Sequence, residues 1–250
     1  MTTKERLKQI SPLVRVVRYS REKRLAARHS LQDARFLAGR TRRSKRVEAY
    51  LSRHTSPKLQ LGTGSNVYDG WLNTDVVDYK RGNEVLYLDV RKRFPLPDNS
   101  FDAVFSEHVI EHVTYRDGVH CLRECRRVLK PGGRIRVATP SLDRVISLYA
   151  PEQTDLQRRY LQWAIDVMVA EGDAYLPGFV LNNFVRSWGH QFIYDGQTLR
   201  HALETAGFVD VEEWPVGVSG HPDLVGLEQH MKSAADFNAY ETMVLEARKP

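Results

Sequence analysis

Leu59-Gln60-Leu61-Gly62-Thr63-Gly64-Ser65-Asn66 reads as a short β-prone run that breaks into a turn with two glycines one residue apart. Glycine has no Cβ, so it adopts positive φ freely and lets backbone approach a ligand closely. Such a pair alone is equally consistent with a simple tight turn. The following residues decide between the two. The next β-prone run, Trp71 to Val76, carries Asp75 near its end, and a third, Glu84 to Leu88, is followed by Asp89. A carboxylate at the carboxyl end of a second strand can accept hydrogen bonds from both hydroxyls of a ribose, and open α/β sheets bind ligands in the crevice at their strand ends. Glycine, acid and acid thus converge on one crevice.

Working outward, further β-prone runs cover Ala103 to Ser106, Arg134 to Ala138, Val209 to Trp214 and Thr242 to Ala247. Helical periodicity spans Tyr115 to Leu129, with Val119, Leu122, Cys125 and Val128 on one face, and Pro131-Gly132-Gly133 ends it. Strands alternating with helices predict a mainly parallel sheet covered on both faces. Residues 141–195 form an insertion too long for a simple strand-to-helix connection. It holds two helix-like stretches, including Leu156 to Ala170, and a loop rich in Asn, Trp and His. Segments of that length in a compact domain are usually functional, so it is read as a lid-like substrate wall.

The 250 residues are 42% hydrophobic and 27% charged, which excludes a disordered chain. The net charge of +6 is unevenly spread: residues 1–56 hold 16 Lys+Arg against 4 Asp+Glu, and the remainder 21 against 27. The chain therefore divides into a basic helical extension, 1–56, and a mildly acidic domain, 57–250. Apolar positions Leu7, Ile10, Val14 and Val17 predict one amphipathic helix in the extension, Arg21 to Leu37 suits a second, and Val47, Tyr50 and Leu51 mark a third. The extension is read as a helical cap. Contact with nucleic acid or an anionic membrane surface is the alternative, and its few aromatics argue against base stacking. No apolar run has the roughly 18 residues of a membrane span, and Met1 is followed by Lys4, Glu5, Arg6 and Lys8, so the cytoplasm is the expected compartment. Cys121 and Cys125 lack a second pair to complete a zinc site and are read as free thiols, and no metal site is assigned.

Six pieces in order carry a family resemblance: Leu61-Gly62-Thr63-Gly64; Gly70-Trp71-Leu72-Asn73-Thr74-Asp75; Asp89; Leu96-Pro97-Asp98-Asn99-Ser100-Phe101-Asp102; Glu107-His108-Val109-Ile110-Glu111-His112; and Arg127-Val128-Leu129-Lys130-Pro131-Gly132-Gly133. Over Lys58 to Pro250 the chain resembles the class I S-adenosylmethionine-dependent methyltransferases, most closely short members of the methyltransferase type 11 group. The resemblance implies a Rossmann-like seven-stranded sheet with the last strand antiparallel. It places the methionine moiety of S-adenosylmethionine over Gly62, Thr63 and Gly64, the ribose on Asp75, adenine beside Asp89 and Val90, and the sulfonium near Ser106, Glu107 and His108. Gln60 stands where many relatives have an acid, and the short interval from Gly64 to Asp75 cuts short the helix that usually follows the glycine loop.

Methyl transfer is an in-line displacement in which positioning dominates, and a general base is needed only when the acceptor must lose a proton. His108 beside the cofactor and His190 on the insertion are the candidate catalytic groups, because histidine titrates near neutrality. Tyr149, Trp163, Tyr175, Phe179, Asn182, Asn183, Phe184 and Trp188 give the insertion the composition of a walled pocket for a small molecule or glycan. The expected reaction is methylation of oxygen or nitrogen on such an acceptor. A nucleic-acid or protein acceptor is the second reading. An NAD-dependent oxidoreductase, disfavoured by the missing third glycine, and a non-catalytic cofactor-binding module are the readings from other classes.

Overall fold

The computed structural model describes residues 40–77, 85–170 and 172–250. The helices expected within residues 1–37 lie outside that set. The chain separates into two compact units, Met1–Arg46 and Val47–Pro250. The second therefore starts before the expected boundary at residue 57. The reason lies in helix α1 (Arg40–Arg53): Val47 is 3% exposed in the main core, and the Tyr50 hydroxyl accepts from Lys58 N–H and donates to the Gly70 carbonyl, both at 2.9 Å.

Among the described residues seven strands form one sheet: β1 (Lys58–Leu61), β2 (Trp71–Asp75), β3 (Leu86–Tyr87), β4 (Phe101–Glu107), β5 (Leu129–Pro140), β6 (Val209–Trp214) and β7 (Thr242–Arg248), in the spatial order β3-β2-β1-β4-β5-β7-β6. The pairings β1–β2, β1–β4, β2–β3 and β4–β5 are parallel, whereas β7 runs antiparallel to both β5 and β6. This is the expected Rossmann-like sheet with its last strand reversed. The chain order changes direction at β1, between β2 and β4, and that switch point opens a crevice at the carboxyl ends of these strands.

The two sheet faces are covered differently. On one, Leu59, Leu61, Val104, Ile135 and Val137 meet Leu122, Cys125 and Val128 of helix α2 (Tyr115–Val128) and Leu199, Ala202 and Leu203 of a helix at Gly196–Thr205. Thr114 caps α2 by accepting from Asp117 N–H, and both cysteines on it are buried and free. On the other face, Trp71, Phe105, Ala138 and Val244 pack under Leu224 and Leu227 from the segment after β6. The expected regular alternation of strand and helix fails there. Residues 62–70 contain no helix, so the helix after the glycine turn is missing rather than shortened. Side chains brace that loop instead: the Asn73 amide bonds both the N–H and the carbonyl of Tyr68, each at 3.0 Å, and Gln60 Nε2 donates to the Asn66 carbonyl.

The insertion holds three helices where two were expected: α3 (Leu142–Ser147), α4 (Asp155–Val167) and α5 (Pro177–Arg186). They share their own core of Val145, Tyr160, Ile165, Val180 and Phe184. The helix at Gly196–Thr205 is α6, and α7 (Ala235–Glu241) leads into β7. No helix among the described residues is long and apolar enough to cross a membrane.

Candidate active site at the strand ends

The glycine turn owes its shape to two different demands. Gly62 has φ +62°, and a Cβ there would sit 2.1 Å from Val109 Cγ2, so it must stay bare for the turn after β4 to pack. Gly64 has φ +54° with nothing within 4 Å of its Cβ position, so its bare side faces open space. Thr63 ties the turn to β2, its N–H and hydroxyl both reaching the Thr74 carbonyl at 3.1 and 3.0 Å. Asp75, 9% exposed, accepts from Gly64 N–H at 2.8 Å through one oxygen and from Val77 N–H at 3.0 Å through the other. An open glycine turn held against a carboxylate at the second strand end suits an S-adenosyl group: Gly62, Thr63 and Gly64 would carry its methionine part, and Asp75 keeps further lone pairs for ribose hydroxyls.

The remaining expected contacts are less open. Asp89 is 6% exposed, and the Arg91 guanidinium forks its carboxylate at 2.9 Å on each oxygen, with Lys92 at 3.5 Å. Burial raises its pKa, but the Arg91 hydrogen bonds outweigh this and hold it below the ordinary carboxylate range. Its carboxylate is thus engaged within its own turn. Val90 is half-buried and packs on the main core. Ser106 is buried in β4, opposite Leu61 and Val137. Glu107 accepts from the backbone N–H of Gln229 (2.9 and 3.1 Å) and of His230 (2.9 Å), so the segment after β6 folds back across the end of β4.

His108 and His190 come together around a residue between them. His108, with φ +50° immediately after β4, places Nδ1 3.2 Å from Glu111 Oε1. Burial lowers the His108 pKa, but Glu111, with Glu241 and Glu107, reverses the balance and raises it above the ordinary value. Glu111 is 0% exposed, and its Oε2 accepts from the Thr139 hydroxyl at 2.9 Å. His190 approaches from the insertion with its ring 4.8 Å from that of His112. Its Nδ1 lies 2.6 Å from the Phe184 carbonyl, which fixes the proton on Nδ1 and leaves Nε2 as an acceptor. Burial holds the His190 pKa below its ordinary value.

The sequence reading missed His230 and Glu241. His230 stacks on His108 with ring centroids 4.0 Å apart, and burial together with the His108 charge pushes its pKa down to about 4. Glu241 accepts from the Tyr160 hydroxyl at 2.6 Å. A buried ion network holds His230 in place. Arg136, fully buried in β5, pairs with Glu228 at 2.6 Å and Glu246 at 2.5 Å. Glu228 also accepts from Gly217 N–H at 2.7 Å, which anchors the segment that ends at His230.

Known proteins match this chain in its cofactor half. A methyltransferase domain family model matches residues 59–137. The demethylmenaquinone methyltransferase of Corynebacterium kroppenstedtii is 29% identical over 117 residues, covering 47% of this chain and 46% of that protein. The ubiquinone/menaquinone biosynthesis C-methyltransferase of Cellvibrio japonicus is 28% identical over 123 residues, 47% of this chain and 43% of that protein. The chain spans less than half the length of these curated relatives. A solved S-adenosylmethionine-dependent methyltransferase from Archaeoglobus fulgidus aligns over 88% of this chain and 94% of its own at 17% identity, with a TM-score of 0.47. With its glycine turn, its strand-end carboxylate and a sheet ordered β3-β2-β1-β4-β5-β7-β6, the chain carries over residues 59–137 a domain of the S-adenosylmethionine-dependent methyltransferase family.

Proposed function

We propose that this protein transfers a methyl group from S-adenosylmethionine to an oxygen or nitrogen of a small-molecule or glycan acceptor. The observation that carries this reading is the convergence of His108, from the end of β4, and His190, from the insertion, around the buried Glu111. When bound, S-adenosylmethionine supplies an electrophilic methyl group on a sulfonium. The protein's own work is to hold the acceptor in line and receive its proton. His108, fixed by Glu111, and His190, whose Nε2 is left as an acceptor, are placed to orient a hydroxyl or amine and take up that proton. A groove of about 620 Å³ along helix α5 is lined by Leu176, Phe179, Asn182 and Arg186 but by no residue of the His108, Glu111 and His190 cluster, so the reading rests on that cluster and not on the groove.

Carbon methylation is named for several relatives, but each of those matches covers under half of this chain, and the family model ends at residue 137, before the insertion begins. A nucleic-acid acceptor rests on the charge of residues 1–56, most of which lie outside the described residues. Calorimetry with S-adenosylhomocysteine and with NAD, followed by a methyl-transfer screen over sugars, phenols, amines, RNA and a quinol, tests the proposal. Binding of the first nucleoside alone and methylation of a sugar, phenol or amine are expected. His190→Asn should then lower kcat while leaving S-adenosylhomocysteine affinity within about twofold. Methylation confined to RNA or to the quinol carbon, or of no acceptor at all, overturns the reading.

A further inference from the structure

We infer that Glu111, His112 and His190 form a site for one zinc-like divalent cation that ties the turn after β4 to the far end of the insertion. One ligand atom from each lies within 4.8 Å of the other two. The two imidazole rings have centroids 4.8 Å apart and planes 69° apart. Two histidines sharing a cation through Zn–N bonds of about 2.0–2.1 Å place their rings at about that separation and splay them in this way. Two histidines and one carboxylate, with a fourth position left open, make a borderline nitrogen and oxygen set that suits zinc rather than magnesium or calcium.

The surroundings match what a metal-binding histidine requires. His190 Nδ1 faces the Phe184 carbonyl at 2.6 Å, which directs Nε2 toward the cluster. Thr139 orients Glu111 through Oε2. Glu111 Oε1, on a side chain with no exposure, receives no hydrogen bond, and its nearest charge is His108 Nδ1 at 3.2 Å. His108 engages one side of that buried oxygen and leaves its second lone pair without a partner, which a cation would take.

The backbone is also set for the site. Trp188 and Gly189 take φ +57° and +83°, and the turn they make presents His190. Gln191 N–H and Phe192 N–H donate to the Glu111 carbonyl at 2.8 and 3.2 Å, and Gln191 Nε2 donates to the His112 carbonyl at 2.9 Å. A second nearby group, His108, His230 and Glu241, has the opposite geometry. Its two rings stack 25° from parallel at 4.0 Å, so no cation lies in both ring planes. The use of the open fourth position rests on the proposed function: it would hold the acceptor's oxygen or nitrogen beside His108, and with His190 Nε2 on the cation the acceptor's proton would go to His108 alone.

The test uses the full chain stripped with a chelator, titrated with Zn²⁺ by calorimetry and with Co²⁺ by visible absorption. One saturable site is expected, with the intense bands of four-coordinate Co²⁺. Thr139→Val should weaken Zn²⁺ binding by about 10–100-fold, as loss of an outer partner does, and His112→Asn and His190→Asn by more. Circular dichroism and S-adenosylhomocysteine affinity establish that each variant is folded. Absence of saturable Zn²⁺ binding, or equal binding by folded His112→Asn and His190→Asn proteins, overturns the site. Undiminished methyl transfer by the metal-free protein overturns the acceptor-holding role and leaves the methyltransferase reading intact. Zn²⁺ binding without turnover on any acceptor supports the site and overturns the proposed function instead.

Discussion

Asp75 shapes the glycine turn and, on the proposed function, would also hold a ribose, and a substitution separates the two. Its carboxylate accepts from Gly64 N–H at 2.8 Å and Val77 N–H at 3.0 Å, so it shapes the glycine turn before any ligand arrives. Hydrogen bonds to a charged group contribute about 1.5–3 kcal/mol each. At 9% exposure water replaces little of either bond, so Asp75→Ala should cost roughly 3 kcal/mol of stability. For a domain of this size that lowers Tm by roughly 6–12 °C. Affinity should fall separately, because a ribose loses two charge-assisted acceptors and the Gly64 turn loses its tether. Even at the low end of the range this weakens S-adenosylhomocysteine binding by well over about tenfold. Differential scanning calorimetry reads the first effect and isothermal titration, well below the new Tm, the second. A folded Asp75→Ala protein whose dissociation constant stays within about twofold refutes the ribose assignment. An unchanged Tm refutes the tether.

The Arg136 network should respond strongly to a change that preserves shape. Glu228→Gln leaves Arg136 with Glu246 as its remaining neutralising charge, so a loss of about 3 kcal/mol is expected by urea denaturation, and a value below about 0.5 kcal/mol would show that the pair is not buried as described. Glu124 sets an acid limb of stability. Burial raises its pKa, but Arg127 at 2.6 Å and the Phe94 N–H at 2.7 Å more than offset this and hold it below the ordinary value. Its contribution is therefore complete above the unfolded carboxylate pKa of about 4.3 and disappears as pH falls through the lower folded value. Glu124→Gln should lose stability near neutrality and flatten that acid limb, and a parallel downward shift at every pH would refute the linkage. A chain starting at Arg40 should be about 4 kcal/mol more stable than one starting at Pro57, because the shorter chain loses the buried Val47 and both Tyr50 hydroxyl bonds. Equal urea midpoints would place the domain boundary at residue 57 after all.

What the sequence disclosed followed from local chemistry. Leu59 and Leu61 alternate with Gln60, the α2 face repeats every three or four residues, and Asp75 ends its strand, so strand positions and the crevice at the strand ends were legible. The missing helix after Gly64 was legible in part, since the interval to β2 is short. That side-chain bonds from Asn73 and Gln60 would brace the loop was not, because these depend on a partner strand already in place. Helix α5 lay within a stretch read as a loop rich in Asn and Trp, although Pro177 at its first turn was a usable signal. His230 and Glu241 carried no signal at all. Neither lies at a helical or metal-ligand spacing from His108, and they reach it through the Arg136 anchor and the start of β7.

Glu111 explains why the two halves of the site are not independent. Its side chain meets β5 through Thr139 and the end of β4 through His108, while its backbone carbonyl receives Gln191 and Phe192 from the insertion. On the proposed function, the crevice for S-adenosylmethionine and the wall facing the acceptor would therefore share one fully buried residue. A change in the insertion's packing reaches His108 through two hydrogen bonds, with no motion of the sheet required. The glycine turn, by contrast, touches this cluster through the contact of Gly62 with Val109, and that contact is apolar. On the proposed function, charge on the acceptor side would thus be set by histidines and carboxylates that can be altered without dismantling the glycine turn. A change in the insertion can therefore alter the surroundings of Glu111 while the glycine turn and Asp75 stay as they are.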